Sequence, residues 1–240
     1  WWSSPTAAAI RAPWSTVGTL LDRVRDLRPG LPVHLGHIEL NEPLLADTLA
    51  DLDAAGTADA VLVPLLLSRG YHVRRDIPEL AAAVRVRTRV AAPLGPHPLL
   101  VETLYTRLVE AGWRTRMTDA ERRASAVVST AAGSRDPDSA VDTRRTAQLL
   151  ADRLGVPVVP GVRLDGRSHR PRGDPCPRRA RPPRVAVASY FTAPGRFATE
   201  SAQAAPWIAA APLGTHAAMA RLVLHRYDQA SAANVGSNAA

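Results

Sequence analysis

The stretch AVLVPLLLSRGYHVRRDIPEL at residues 60–80 decides the fold. Residues 60–67 form an unbroken apolar run bounded by turn signals, which predicts a parallel strand buried on both faces. The polar loop SRGYHVRRD follows, and a helical pattern opens at Ile77. Downstream, VRVRTRV at 84–90 alternates as a short strand does, and 98–111 reads as a helix. Upstream, V-x-x-L-L-x-x-V-x-x-L within 16–27 predicts an amphipathic helix, stopped by Pro29-Gly30. Residues 33–40 read as a strand and 43–52 as a helix. Strands alternating with helices predict a parallel α/β sheet.

The chain then repeats itself. APLGPH at 92–97 returns as APLGTH at 211–216, each ahead of a helical pattern, and VLVPLLLSRGYH at 61–72 is echoed by VAVASYFTAPGRF at 185–197. A strand at 126–130 leads into AGSRDP at 132–137, and 143–154 is helical. Two similar α/β domains follow, 1–115 and 124–228, with 229–240 as a disordered tail.

The net charge of +8 and pI near 10.9 would suggest a nucleic-acid partner. Most of that charge sits in residues 162–184, which hold eight Arg against Asp165 and Asp174. The chain has no Lys, as expected of a GC-rich gene. A lone cysteine, Cys176, leaves no internal disulfide and points to the cytoplasm. No apolar run is long enough to span a bilayer, and WWSSPTAAAIRAP at the start lacks the build of a signal peptide and a starting Met, as a fragment would. Neither GxGxxG nor a P-loop occurs, so no nucleotide is expected; without CxxC or HExxH, no structural zinc is expected either.

The repeat requires a strand and an AGSRDP-like loop at the start of the first domain, where 1–13 offers neither. Back-translated with GC-rich codons and read one base earlier, 1–13 spells (V/M)VVLAHGSRDPRA, an apolar strand running into HGSRDP. The same exercise on 162–178, shifted the other way, yields a turn and a helix. Both segments read as frameshifted, which makes the Arg cluster a product of reading frame. A nucleic-acid partner is therefore not expected. As written, the first strand should be lost or replaced by irregular structure, because WWSSP has no apolar alternation and its Pro cannot donate to a ladder. Residues 162–184 should form a mobile loop.

HIELNEPLLADTL at 37–49, VLVPLLLSRGYHVRRDIP at 61–78 and APLGPHPLL at 92–100 resemble the sirohydrochlorin chelatase family, with weaker support from AGSRDP and SYFTAPGRF. The resemblance implies an α/β fold of two similar chelatase-like domains, each a small parallel sheet flanked by helices. It also implies a cytoplasmic lyase that inserts Co²⁺ or Fe²⁺, the metal being a substrate, into sirohydrochlorin or a precorrin-2-like tetrapyrrole, without nucleotide or membrane. The family uses two histidines, one in an HGS loop and one in the loop that matches His72. Neutral imidazole can hold a divalent ion, release it, and accept pyrrole protons. Thr6 or Pro5 stands in the place of the first histidine, and Ala132 in the second half, so the chain should be impaired.

His72 is therefore the expected catalytic and metal-binding residue; without the resemblance it would be a solvated loop histidine. Glu39 is expected to help bind metal or relay protons, or else to be a partly buried, hydrogen-bonded carboxylate. Ser68, Arg69, Arg74 and Arg75 are expected to bind the many substrate carboxylates, since Arg pairs with these bidentately, or to form a solvated charged loop. His34 and His37 should be structural within a strand, and His97 and His216 should serve the repeated turn. A non-catalytic tetrapyrrole- or metal-binding protein on the same fold is the alternative function.

Overall fold

The structure is a computed structural model, which describes residues 6–39, 41–134, 136–164, 167–169 and 184–232. It opens with a 22-residue helix, α1 (Thr6–Leu27). Leu20 and Leu21, with Val24 one turn on, are buried as the apolar spacing requires. No strand forms over 6–13, where the first strand was expected to be lost or replaced by irregular structure; the helix takes in these residues instead. TAAAIRA is rich in strong helix formers, which explains the difference.

After α2 (Leu45–Ala54) come β1 (Asp59–Leu62), a single π-type turn (His72–Asp76), α3 (Ile77–Ala82) and β2 (Arg87–Val90). β1 and β2 pair in parallel, Asp59 opposite Arg87 and Leu62 opposite Val90. α4 (Pro98–Glu110) closes the first half, and a short α5 (Asp119–Arg123) leads into the second. There β3 (Ser125–Ala132), α6 (Pro137–Leu154), β4 (Val158–Leu164), β5 (Arg167–His169), β6 (Arg184–Tyr190), α7 (Arg196–Gln203) and α8 (Ala217–Ala232) follow. The second sheet has the order β5-β4-β3-β6. β3 is parallel to both β4 and β6, and β5 is antiparallel to β4.

The fold is α/β with small, mainly parallel sheets flanked by helices, as expected, but several elements differ. No strand forms over 33–39; an isolated bridge joins His37 to Leu44. The counterpart of 33–40 in the second half is β4, which is held by β3. Among the described residues of the first half there is no strand to play the part of β3, so 33–39 has no ladder to join. The run 60–67 likewise stops pairing at Leu62 and is mostly half-buried instead of covered on both faces. In the 162–184 segment, Val162–Leu164 and Arg167–His169 are paired strands, not a loop; residues 165–166 and 170–183 lie outside the described set. The expected tail from 229 begins inside α8, which is helical to Ala232.

One hydrophobic core runs through both halves. Leu20 and Val24 of α1, Leu100, Leu104 and Leu108 of α4, Leu150 and Leu154 of α6, and Leu222 and Val223 of α8 belong to a single cluster. α4 is the centre of this arrangement, packed against α6, α8 and β6. The repeated APLG(P/T)H loops do the same job twice. His97 Nδ1 accepts the Leu99 N–H at 3.1 Å, and His216 Nδ1 accepts the Ala218 N–H at 3.2 Å. Each imidazole thus caps a helix N-terminus, the turn role expected for the pair.

Candidate functional site

The apolar run beyond β1 sends its carbonyls to tertiary partners in place of a ladder. Leu66 O accepts from Leu94 N at 2.8 Å. Thr192 Oγ1 donates to Leu65 O at 3.1 Å, and the Tyr190 hydroxyl donates to Leu67 O at 2.8 Å. Tyr190 ends β6, so the strand of one half fixes the carboxyl end of the strand region in the other. Its hydroxyl also lies 3.2 Å from Thr146 Oγ1 on α6. Burial raises the Tyr190 pKa well above the ordinary phenol value.

The loop that follows is laid on the N-terminal half of α6. Ser68 Oγ is 2.9 Å from Ser139 Oγ. The Arg69 backbone N–H donates to Asp142 Oδ2 at 2.9 Å, Nε donates to the same oxygen at 3.0 Å, and the terminal Nη2 donates to Oδ1 at 2.7 Å. This is a bidentate fork plus a backbone contact on one carboxylate, whose side chain is only 4% exposed. Burial alone would raise the Asp142 pKa; the hydrogen bonds from Arg69 and the charges of Arg69 and Arg74 outweigh it and hold the carboxyl below its usual value. Arg69 Nη1 also approaches Asp138 Oδ2 at 3.5 Å, Arg74 pairs with Asp138, and Arg74 Nε lies 3.9 Å from Asp136 Oδ2. Arg75 pairs with Glu79, one turn on, at 3.0 Å, both side chains being exposed.

Of the expected site residues, Ser68, Arg69 and Arg74 are brought together, against α6. Arg75 is turned to its helical neighbour. His72 is the first residue of the π turn (His72–Asp76), at the carboxyl side of the apolar run; its ring lies outside the described residues. Glu39 is exposed, between the bridged residues His37 and Leu44, so the buried-carboxylate reading of it does not hold. His34 and His37 are not in a strand, for the reason given above; burial lowers the His37 pKa. Among the described residues, no three His, Cys, Asp or Glu side chains are grouped to hold a metal ion.

The partners on α6 and β6 were not read from the sequence. Asp136 was visible only as part of AGSRDP; the structure shows its side chain accepting from Asp138 N at 2.9 Å as the cap of α6. Asp138 and Asp142 stand four apart on one helix face, a spacing open to inspection, but their target lies some seventy residues earlier in the chain.

Two α/β halves sharing one core, with a basic histidine loop of the first docked on a helix of the second, define a protein that can present polar loops at the carboxyl side of its strands. Residues 13–111 match the CbiX family profile. A sirohydrochlorin cobaltochelatase of Saccharolobus solfataricus is 35% identical over 89 residues, covering 32% of this chain and 70% of the relative. One from Sulfurisphaera tokodaii is 33% identical over 79 residues, covering 32% and 66%. The chain belongs to the sirohydrochlorin chelatase family, whose members are metal chelatases. Solved structures extend the likeness of fold to the second half. SirB from Bacillus subtilis with Fe³⁺ covers 98% of this chain and 94% of its own at TM-score 0.69 and 21% identity. The sirohydrochlorin chelatase SirB from Bacillus subtilis subspecies spizizenii in complex with cobalt covers the same shares at TM-score 0.66 and 19% identity. No helix among the described residues is long and apolar enough to cross a membrane.

Proposed function

We propose that this chain is a lyase that places Co²⁺ or Fe²⁺ into sirohydrochlorin, with His72 as the imidazole that handles metal and proton. In the reaction the tetrapyrrole gives up two pyrrole N–H protons, one to the imidazole and one to solvent water, its nitrogens become the ligands, and the ion leaves its former donors. A neutral imidazole suits this because it can release a metal ion and then take a proton. Ser68, Arg69 and Arg74 flank His72 in the loop, with Arg75 beside them and Glu39 as an exposed carboxylate for metal delivery or proton relay. The observation that carries the proposal is the family match across 13–111, which contains the whole SRGYHVRRD loop.

Segment 1–13 carries no histidine, and in this reading the chain is impaired because the imidazole of an HGS loop is missing. That same lack favours the second reading, a tetrapyrrole- or metal-binding protein without turnover. Stopped-flow absorbance of sirohydrochlorin mixed with Co²⁺ tests both. Slow insertion that His72→Ala abolishes is expected of the impaired enzyme. Insertion at full speed that is indifferent to His72→Ala would place the chemistry elsewhere, and binding without any spectral conversion would favour the second reading.

A further inference from the structure

The geometry points to Asp142 as a positioning residue: its carboxylate, through Arg69, holds the 68–76 loop of the first half on α6 of the second, so that the second half sets the place of His72. The inference rests on the reading of His72 as the metal-handling residue.

Three observations lead here. First, Arg69 spends its backbone N–H and both N–H groups of one guanidinium edge, Nε and Nη2, on one carboxylate. A planar fork that shares two N–H bonds with one carboxylate has one orientation, so Arg69 is fixed as well as neutralised. Second, the residues on either side are tied to the same half: Tyr190 to Leu67, Ser139 to Ser68, and Asp138 to Arg74. Third, Gly70 faces the AGSRDP loop, where a Cβ added at Gly70 would come 3.9 Å from Ser134 Oγ. His72 lies between Gly70 and Arg74, which are themselves joined by an N–H to carbonyl bond of 3.2 Å. The backbone of His72 therefore lies in a short arch flanked by Arg69 and Arg74, whose ion pairs with Asp142 and Asp138 stand on α6.

The arrangement also gives Arg69 a duty other than substrate binding. Its fork is occupied by a buried carboxylate, while Arg75 points away to an exposed partner. Arg69 and Asp142 should then act as one unit, and removing either should cost the same.

Two measurements on the full chain test this. Amide hydrogen exchange is compared between the wild-type chain and Asp142→Asn, with Arg69→Lys as a second variant should the first fail to fold. Residues 69–75 are expected to exchange at least ~10-fold faster in the variant, with β3 amides unchanged. Equal protection of 69–75 in both would overturn the proposal, whether or not the chain turns over. Co²⁺ insertion is then followed for Asp142→Asn, Arg69→Met and the double variant. Each single change is expected to lower kcat roughly 10- to 100-fold, as small misplacements of a reacting group do, with KM for sirohydrochlorin within about twofold. The double variant should be no slower than either single, and Asp142→Glu should recover part of the rate. A raised KM in Arg69→Met that multiplies with the effect of Asp142→Asn would overturn the proposal and return Arg69 to the substrate. If 69–75 loosen in Asp142→Asn while His72→Ala keeps full insertion, the positioning stands and the assignment of His72 fails.

Discussion

The hydroxyl of Tyr190 donates to the carbonyl of Leu67 across 2.8 Å, joining the last residue of β6 to the end of the apolar run 123 residues before it. Tyr190 is 3% exposed, and its hydroxyl also meets the buried Thr146, so its loss leaves polar partners poorly replaced by water. Tyr190→Phe should therefore destabilise the chain by about 1–3 kcal/mol, the usual cost of leaving a buried acceptor unpaired. A urea midpoint that falls with an unchanged slope is the expected result.

Gly95 lies against the same carbonyl. A Cβ there would stand 2.4 Å from Leu67 O and 2.7 Å from the Tyr190 hydroxyl. Gly95→Ala should cost about 1–3 kcal/mol by overpacking, since the first obstacle is backbone and cannot swing aside. Gly18, in α1 with nothing within 4 Å of its added Cβ, is the control. Gly18→Ala should stabilise by roughly 0.5–1 kcal/mol, because it removes flexibility from a helix interior. Equal effects at the two positions would contradict this account.

His97 and His216 cap α4 and α8 through an accepting Nδ1, which only the neutral ring with its proton on Nε2 can offer. Burial lowers both pKa values first; charge then adds to it, from Arg226 and His225 at His97, and from Arg107 against an opposing Glu110 at His216. A base whose folded pKa is depressed contributes stability that is full above the unfolded value near 6.5 and is lost as pH falls from there through the folded pKa. Thermal melts from pH 7.5 to 5 should show that loss. His97→Asn with His216→Asn keeps a capping acceptor that does not titrate, and should flatten the profile in this range.

Replacing residues 1–13 by the regrouped text MVVLAHGSRDPRA should supply a strand to the open side of the first sheet and a second imidazole. Metal insertion should rise by roughly 10²–10⁴, the usual worth of a positioned acid–base group, and His72→Ala should remove the gain. The absorbance of the tetrapyrrole reports both. A gain that survives His72→Ala would assign the chemistry to the new segment alone.

Much of this protein was legible in the sequence because the signals are local. The 3.6-residue spacing of Leu20, Leu21 and Val24 announces a buried helix face, and the doubled APLG(P/T)H motif announces two matching helix starts. The family could be read from one block, 61–78, since its unusual run of residues sits together in the chain. The strand expected at 33–40 does not form over the described 33–39, for a reason that no local pattern contains: a ladder needs a neighbour, and among the described residues of the first half no strand takes the part of β3.

What the sequence by itself determined is therefore the period of each helix, the apolar run before the histidine loop, and the repeat. The tertiary structure alone decided the partners of that loop. Arg69 looks like a free cation in the text SRGYHVRRD, and Asp142 like one more solvated charge in a polar helix. Their pairing exists only because α4, shared by both halves, brings α6 beneath the loop. Hydrogen bonds reach about 3 Å, so contacts between residues seventy positions apart follow from packing and leave no spacing to be read along the chain.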